Sequence, residues 1–144
     1  MKCIILSGIP CSGKSTYRKK YLKGFTGLSR DECRLTLFGK NYKQNSYGEK
    51  RINIFFDYLL EGYCKQKDDI CIDNCNCKLS YINNILLQLP DTYEVEIKYF
   101  PIPLWKAYIR NVLRYIKTGK YIPISVIKNM KKNFDKLNKN DCKN

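Results

Sequence analysis

The sequence predicts one α/β domain with a mainly parallel sheet flanked by helices. Apolar runs of strand length alternate with longer segments whose apolar residues recur at helical spacing, the pattern of βα units. A glycine-containing loop separates the first strand from the first helix. The chain has 144 residues, of which 44% are hydrophobic, so it can build a hydrophobic core. We therefore expect residues 1–144 to form a single domain.

The loop after the first strand, Cys3 to Leu6, matches a phosphate-binding motif. The pattern G-x-x-x-x-G-K-S/T is met without a mismatch. The motif and the threonine after it comprise Gly8, Ile9, Pro10, Cys11, Ser12, Gly13, Lys14, Ser15 and Thr16. Glycines let successive backbone N–H groups point at one anion, and the next helix directs its positive dipole end there. The chain is therefore predicted to bind a nucleoside triphosphate.

Two side chains of this loop suit phosphate chemistry. Lys14 would place a positive charge on the β- and γ-phosphates, and the hydroxyl of Ser15 can hold Mg²⁺. A chance match in a glycine turn is the alternative. The strand before the loop and the helical segment from Thr16 to Lys23 disfavour it, because the motif requires this setting.

A short second strand, Phe25 to Leu28, precedes a polar segment. Ser29 or Asp31 can cap the next helix, and Asp31 and Arg34 would then share one face. Side chains at the carboxyl end of such a strand point into the cleft where α/β proteins bind ligands. A capping aspartate in a surface ion pair is the plain alternative, but the position one strand after the phosphate loop favours a functional role.

The middle of the chain supplies a loop, a core helix and a strand that ends in an acid. The segment from Gly39 to Gly48 is polar, basic and tyrosine-containing, which is typical of a solvated loop and suits contact with a nucleic acid strand. Residues 49–66 predict an amphipathic helix with a core stripe. Ile70 to Asp73 predicts a buried strand, and a carboxylate at its end can act on Mg²⁺ or its waters.

Two more helices and an alternating strand complete the pattern. A helix that starts near Leu79 stops at Pro90, and residues 93–99 alternate like a half-exposed edge strand. A long helix runs from Pro103 to Gly119. Its apolar face is predicted to contain Leu104, Trp105, Tyr108, Ile109, Val112, Leu113 and Ile116. A separate basic stripe contains Lys106, Arg110, Arg114 and Lys117. A last helix, with apolar residues from Ile124 to Leu137, precedes a polar tail, 138–144, that we expect to fray.

The charge indicates a polyanionic partner. Lysine and arginine number 27 against 13 acidic residues, a net charge of +14, which favours nucleic acid through phosphate contacts. Drift in an AT-rich coding sequence could produce the same excess.

The composition also indicates the cellular compartment that we expect for the protein. No apolar run approaches the length of a membrane span, and the first strand begins too early for a signal peptide. The eight cysteines occur without histidine or a C-x-x-C pair, so reduced thiols are expected in a cytoplasmic protein rather than disulfides or a zinc site.

Taken together, the motifs resemble those of the 5′-hydroxyl polynucleotide kinase family over nearly the whole chain. Besides the phosphate loop, Ser29 to Arg34 matches the family's R-D-x-x-R signature. The segment Ile72-Asp73-Asn74-Cys75-Asn76 is similar to D-D/N-T-N, and Arg110-Asn111-Val112-Leu113-Arg114 resembles the R-N-x-x-R lid. The resemblance implies a P-loop NTPase fold of the kinase type with a C-terminal helical lid at about 106–123.

The chain departs from the family's pattern at three positions. Cys75 stands where the family usually has threonine, and in some members the acid lies one position later, where Asn74 stands. Asp73 is the only carboxylate available locally for the metal. Cys11 replaces a frequent glycine, which a negative φ at this position would allow. No phosphatase domain follows, so 3′-phosphatase activity is not expected.

The resemblance also implies roles for individual residues. Asp31 would accept the proton of the acceptor's 5′-hydroxyl, and Arg34 would hold an acceptor phosphate. Arg110 and Arg114 would close over ATP, while Mg²⁺ would lie near Ser15 and Asp73. The residues implied for ATP binding are Gly8, Pro10, Cys11, Ser12, Gly13, Lys14, Ser15, Thr16, Arg110 and Arg114.

Two other functions stay open at this point. A related P-loop kinase for a nucleoside, nucleotide or other small metabolite would share the fold and the acid after the second strand. A nucleic-acid-binding module could retain the ATP site as a switch or relic. Under the polynucleotide kinase hypothesis, the partners are 5′-hydroxyl ends of DNA or RNA and a ligase that seals the product, with no membrane involved.

Overall fold

In the computed structural model the chain forms a four-stranded sheet. The structure describes residues 1–141, with side chains up to Asn138. The strands are β1 (Lys2–Ser7), β2 (Thr26–Leu28), β3 (Ile70–Asp73) and β4 (Glu94–Tyr99). Their order is β2-β3-β1-β4, and all three neighbouring pairs are parallel. The predicted parallel α/β fold is confirmed, with the alternating strand at an edge.

Helices connect and follow the strands. They are α1 (Lys14–Tyr21), α2 (Arg30–Phe38), α3 (Ser46–Gln66), α4 (Leu79–Leu86), α5 (Leu104–Thr118) and α6 (Ile124–Asp141). Helix α3 starts within the predicted loop because Asn45 caps it, its side chain accepting a 2.8 Å hydrogen bond from the N–H of Gly48.

The strand register brings three loops to one edge of the sheet. Leu6 of β1 pairs with Asp73 of β3, and Leu28 of β2 pairs with Ile72, so all three strands end at nearly the same level. Strand β1 lies between β3 and β4, which places the phosphate loop where the chain order reverses. In open α/β sheets ligands bind at this switch point.

Two of the three buried hydrophobic clusters in the described residues lie against the helices that flank this edge. The larger one packs α3 and α4 against the sheet and includes Ile5, Ile52, Phe56, Ile72 and Ile82. A second cluster joins α5 and α6 to the phosphate loop and contains Ile9, Cys77, Ile102, Ala107, Ile127 and Phe134. The C-terminal helices are therefore fastened directly to the phosphate loop through apolar contacts.

Helix α5 packs through one edge of its predicted apolar face, where Leu104 and Tyr108 contact the second cluster. Its buried residues are Ala107 and Asn111. Five large apolar residues remain between 50% and 74% exposed: Trp105, Ile109, Val112, Leu113 and Ile116. Ala107 has so small a side chain that the helix can approach the second cluster closely. This fit decides which side faces the interior.

The C-terminal helix is longer than expected. Helix α6 continues through Asn138 to Asp141, into the segment predicted to fray, with Phe134 and Leu137 buried one turn earlier. Residues 142–144 of the predicted tail lie outside the described residues. Among the helices that the structure describes, none has both the length and the hydrophobicity of a membrane crossing.

Asn111 holds the turn between α5 and α6. Gly119 ends α5 at a φ of 71°, and the chain then passes back over Asn111. The buried amide of Asn111 donates to the carbonyl of Ile122 at 2.8 Å and accepts from its N–H at 3.2 Å. One side chain thus satisfies both backbone groups of one residue in the turn.

We expect Asn111→Ala to lower the free energy of unfolding by about 1–3 kcal/mol, because the peptide groups of Ile122 lose their partners. Urea denaturation followed by circular dichroism measures this loss. The matched control is Asn83→Ala at an exposed position of α4, which should change stability by less than about 0.5 kcal/mol. Equal effects of both substitutions would contradict the role of Asn111.

Candidate active site

The phosphate loop leaves the amino end of α1 open. Gly13 stands at the N-cap with a φ of 104°, and no side chain caps the helix. Helices α2 and α3, by contrast, are capped by Ser29 and Asn45. The first N–H groups of α1 and its positive dipole end are thus available to an anion, as the motif predicts.

Lys14 is folded back into the loop and is 7% exposed. Its Nζ donates hydrogen bonds to the carbonyl oxygens of Gly8 at 2.8 Å and Ile9 at 3.0 Å, and to Oγ of Ser12 at 3.3 Å. A buried ammonium requires such acceptors. These bonds keep the positive charge inside the curl of the loop.

The loop is bound to the segment after β3. The N–H of Gly8 donates to the carbonyl of Cys75 at 2.9 Å. Oγ of Ser7 donates to the carbonyl of Asn76, whose amide donates to the carbonyl of Leu6, both at 2.9 Å. This segment, part of the predicted D-N-C-N motif, therefore has a structural task as well as a place in the site.

A pocket of about 470 Å³ lies beside the loop, with Ser15, Asp31 and Asp73 in its wall. Asp31 occupies the first turn of α2. The start of that helix is held by Asn74, whose side-chain oxygen accepts from the N–H of Arg30 at 2.8 Å. The structure thus brings three of the predicted site residues into one cavity.

Asp73 has a cationic neighbour that sequence reasoning missed. Nη1 of Arg18 lies 3.8 Å from its carboxylate and 3.0 Å from that of Glu32. Asp73 keeps only 8% of its side chain exposed. Arg18 follows Lys14 by four residues on one helix face, and this spacing is a signal that could have revealed it. The hydroxyl of Ser15 and the carboxylate of Asp73 are oxygen donors of the kind that Mg²⁺ prefers.

Asp31 and Arg34 form the predicted pair, and Glu49 of α3 joins it. Arg34 donates to Asp31 at 2.7 Å and to both oxygens of Glu49 at 3.0 and 2.8 Å. The hydrogen bonds with Glu49 raise the pKa of Arg34, so it is cationic throughout the physiological range. Glu49 lies one turn before the buried Ile52 and so on the buried side of α3. An acidic residue in line with a buried apolar stripe is a sequence feature that could have indicated a partly buried ion pair.

One of the two predicted lid arginines contacts the phosphate loop from α5. Nη1 of Arg110 donates to the carbonyl of Cys11 at 3.1 Å. Burial raises the pKa of the Cys75 thiol, while the positive charges of Lys14 and Arg114 oppose this shift. The charges of Asp31 and Asp73 also act on this thiol and raise its pKa further. The charges of four predicted site residues therefore act on the Cys75 thiol.

The remaining loop residues are positioned by the backbone. Pro10 is buried, whereas Ser15 and Thr16 open α1 and face solvent. Gly8 allows close contact, since a side chain there would lie 3.0 Å from Cβ of Phe100.

Among the described cysteines none is in a disulfide, and burial raises the pKa of Cys71 and Cys77 to about 12, so these thiols are neutral.

Comparison with known families identifies the domain type. A family model described as an AAA domain matches residues 3–137. Among curated proteins, the L-seryl-tRNA(Sec) kinase of Methanococcus maripaludis is 33% identical over 139 residues, which cover 92% of this chain and 52% of that protein.

Solved structures share the fold. A chain of the Pnkp1/Rnl/Hen1 RNA repair complex is 25% identical with a TM-score of 0.87, covering 96% of this chain and 45% of that one. Deoxyadenosine kinase from M. mycoides, solved with bound dATP, is 17% identical with a TM-score of 0.52, covering 98% and 86% of the respective chains. The chain spans about half the length of the first two relatives.

Cys11 adopts a backbone conformation that glycine favours. Its φ is +64°, so the expectation that a negative φ accommodates this residue is wrong. The left-handed region costs an L-residue about 1–2 kcal/mol, because Cβ approaches the following carbonyl oxygen. The neighbouring Gly13, at a φ of 104°, meets the same demand without a side chain.

We expect Cys11→Gly to raise the free energy of unfolding by about 0.5–1 kcal/mol, the relief of strain less the greater freedom of glycine in the unfolded chain. Cys11→Ala is the matched control, because it removes the thiol and keeps Cβ at the same φ. Denaturant titration of both variants checks the origin of the gain. The same gain in Cys11→Ala would attribute it to the thiol rather than to the backbone.

Proposed function

Because the chain belongs to the AAA domain family and has the fold of kinase-type P-loop proteins, we propose that it is an ATP-dependent 5′-hydroxyl polynucleotide kinase. The observation that carries the proposal is the position of Asp31, which shares a pocket with Ser15 and Asp73 beside the phosphate loop. A carboxylate so positioned can receive the proton of a hydroxyl that attacks the γ-phosphate.

The loop and α1 would hold the phosphates of ATP. The uncapped N–H groups of α1 would bind phosphate oxygens, and Lys14 would exchange its bonds to the carbonyls of Gly8 and Ile9 for bonds to the β- and γ-phosphates. Ser15 and Asp73 would hold Mg²⁺, which supplies positive charge that neutralises phosphate oxygens.

The acceptor would react at Asp31. The 5′-oxygen forms a bond to the γ-phosphorus as the bond to the β–γ bridging oxygen breaks, and ADP leaves. The proton of the hydroxyl passes to a carboxylate oxygen of Asp31. Its hydrogen bond with Arg34 holds this carboxylate in place, and Glu49 orients Arg34 in turn. Arg34 is thus available to attract an acceptor phosphate from a held position.

Arg110 and Arg114 of α5 would supply positive charge next to the phosphate loop. Arg110 already contacts the loop at the carbonyl of Cys11, and the positive charge of Arg114 acts to lower the pKa of the Cys75 thiol. Guanidinium groups near a transferring phosphoryl group stabilise its charge and contribute about 10³–10⁵ in rate in other P-loop enzymes.

Several features favour a nucleic acid as the acceptor. The net charge of +14 suits a polyanion. A second pocket of about 450 Å³ opens next to Cys75 and offers Tyr81, Met130 and asparagine side chains, which suit the stacking and hydrogen bonding of a base. The likeness to a chain of an RNA repair complex supports RNA as the substrate, and we propose a ligase that seals the product as a partner.

A second candidate follows from the curated relative. The 33% identity to an L-seryl-tRNA(Sec) kinase favours a hydroxyl carried by an aminoacyl group on tRNA. Both candidates place the hydroxyl on a nucleic acid and use the same phosphate loop, so they differ in the chemical group that carries the hydroxyl next to Asp31. Acceptor chemistry therefore separates them.

We expect Asp31→Asn to lower phosphoryl transfer at least about a hundredfold while ATP binding persists, because the amide cannot take up the proton. Transfer of labelled γ-phosphate and ATP binding by calorimetry measure the two effects. Asp57→Asn, an exposed acid of α3, is the control and should behave as the wild type. Full activity of Asp31→Asn would overturn its assignment as the base.

The acceptor is checked by offering labelled ATP with a 5′-hydroxyl RNA oligonucleotide, its DNA counterpart, the 5′-phosphorylated forms, seryl-tRNA and a panel of nucleosides. We expect label on the 5′-hydroxyl oligonucleotides, with KM rising as salt increases, because the contacts to the acceptor are ionic. Label on seryl-tRNA alone would establish the second candidate. Label on nucleosides alone would overturn the proposal that the substrate is a nucleic acid.

A further inference from the structure

Helix α5 presents an apolar ridge to solvent. The ridge consists of Trp105, Ile109, Val112, Leu113 and Ile116, all at least half exposed. Ile109 lies two residues from both Ala107 and Asn111, the buried residues of α5, and therefore on the opposite side of the helix. Clustered apolar residues of this kind mark an interaction surface in soluble proteins.

The spacing of the ridge fits a second helix. Trp105, Ile109, Val112 and Ile116 follow one another at intervals of four, three and four residues, the spacing of the a and d positions along which two helices pack. Leu113 widens the ridge on one side. A flat apolar surface such as a membrane would not require this regular register.

The intervals of four, three and four residues are the same from either end of α5, so two antiparallel copies of the helix can match them. When two copies of α5 lie antiparallel about a two-fold axis, Trp105 meets Ile116 of the partner subunit. Ile109 then meets Val112 of the partner subunit, and each contact occurs twice. We propose that the ridge is a dimer interface, and that its occupant is the ridge of a second copy of this chain.

The pairing leaves the candidate active site open. The basic stripe of α5 lies on another side of the helix, and Arg110 stays directed to the phosphate loop of its own chain. The five ridge residues carry no charge, but each copy has a net charge of +14. The copies therefore repel one another at a distance, and added salt should strengthen their association by screening.

The small area of the contact limits the affinity of the dimer. One helix of fifteen residues from each copy provides a contact at the small end of specific interfaces. We therefore expect a reversible monomer–dimer equilibrium at micromolar concentrations. Association through the ridge does not depend on the acceptor or on kinase activity.

Analytical ultracentrifugation of the full chain over micromolar concentrations, at low and high salt, measures this equilibrium. We expect Ile109→Glu to weaken dimerisation by more than about tenfold, since it buries a charge in the seam. The matched control is Ile54→Glu at a 70% exposed position of α3, which should dimerise as the wild type does. Circular dichroism establishes that both variants are folded.

A mixing experiment tests the antiparallel register. Val112→Lys alone should also lose the dimer, whereas an equal mixture of Ile109→Glu and Val112→Lys should form a mixed dimer. In that dimer one glutamate–lysine contact and one unchanged Ile109–Val112 contact replace the two mismatched contacts of each homodimer. Failure of the mixture to associate would overturn the register.

The remaining outcomes concern other occupants. A wild type that stays monomeric at every concentration and salt would overturn the proposal. If such a monomer bound vesicles with anionic headgroups, and Ile109→Glu abolished this binding, the ridge would be a membrane contact instead. Undiminished dimerisation of Ile109→Glu would place the dimer interface elsewhere.

Discussion

Three hydrogen bonds between the start of the phosphate loop and the segment after β3 determine the rest of the site. They join Gly8 to Cys75, Ser7 to Asn76, and Asn76 to Leu6, all at 2.9 Å. Because they involve buried backbone groups, each would be costly to lose. The same segment contains Asn74, which holds the start of α2 and thereby the turn that carries Asp31. The contacts between the end of β1 and the segment after β3 thus help to position Asp31 on α2.

The cations of the site are held by partners within the chain. Arg18 lies between Glu32 and Asp73, Arg34 is fixed by Glu49, and the ammonium of Lys14 is bonded to loop carbonyls. Half-buried charges need such compensation, because desolvation otherwise opposes their placement. The positive groups of the site therefore have defined positions before any phosphate arrives, which reduces the entropy that binding must overcome.

Helix α5 combines three surfaces with different tasks. Ala107 and Asn111 fasten it to the second core cluster and to the turn before α6. Its basic stripe reaches the phosphate loop through Arg110, and the apolar ridge is turned to solvent. Since the three stripes share one rigid helix, any partner on the ridge would restrain the same element that presents Arg110 and Arg114 to the site.

The sequence alone determined the order of strands and helices, the phosphate loop, and the positions of Asp31 and Asp73 at strand ends. These features depend on residue periodicity and on glycine within short segments, so local patterns contain them. Only the tertiary structure revealed Glu49 beside Arg34 and Arg110 beside Cys11. These partners are 15 and 99 residues apart, and no local pattern encodes their contact.

The tertiary structure also decided the conformation of Cys11 and the buried side of α5. Cys11 has a φ of +64° in a loop that curls around the ammonium of Lys14, a conformation that the residue type at this position does not predict. On α5 the apolar residues alone would favour burial of the ridge. The helix instead buries Ala107 and Asn111, because close packing against α6 and satisfaction of the peptide groups of Ile122 require a small residue and an amide. Hydrophobicity sets which side chains can be buried, but the shape and polarity of the neighbouring elements select those that are.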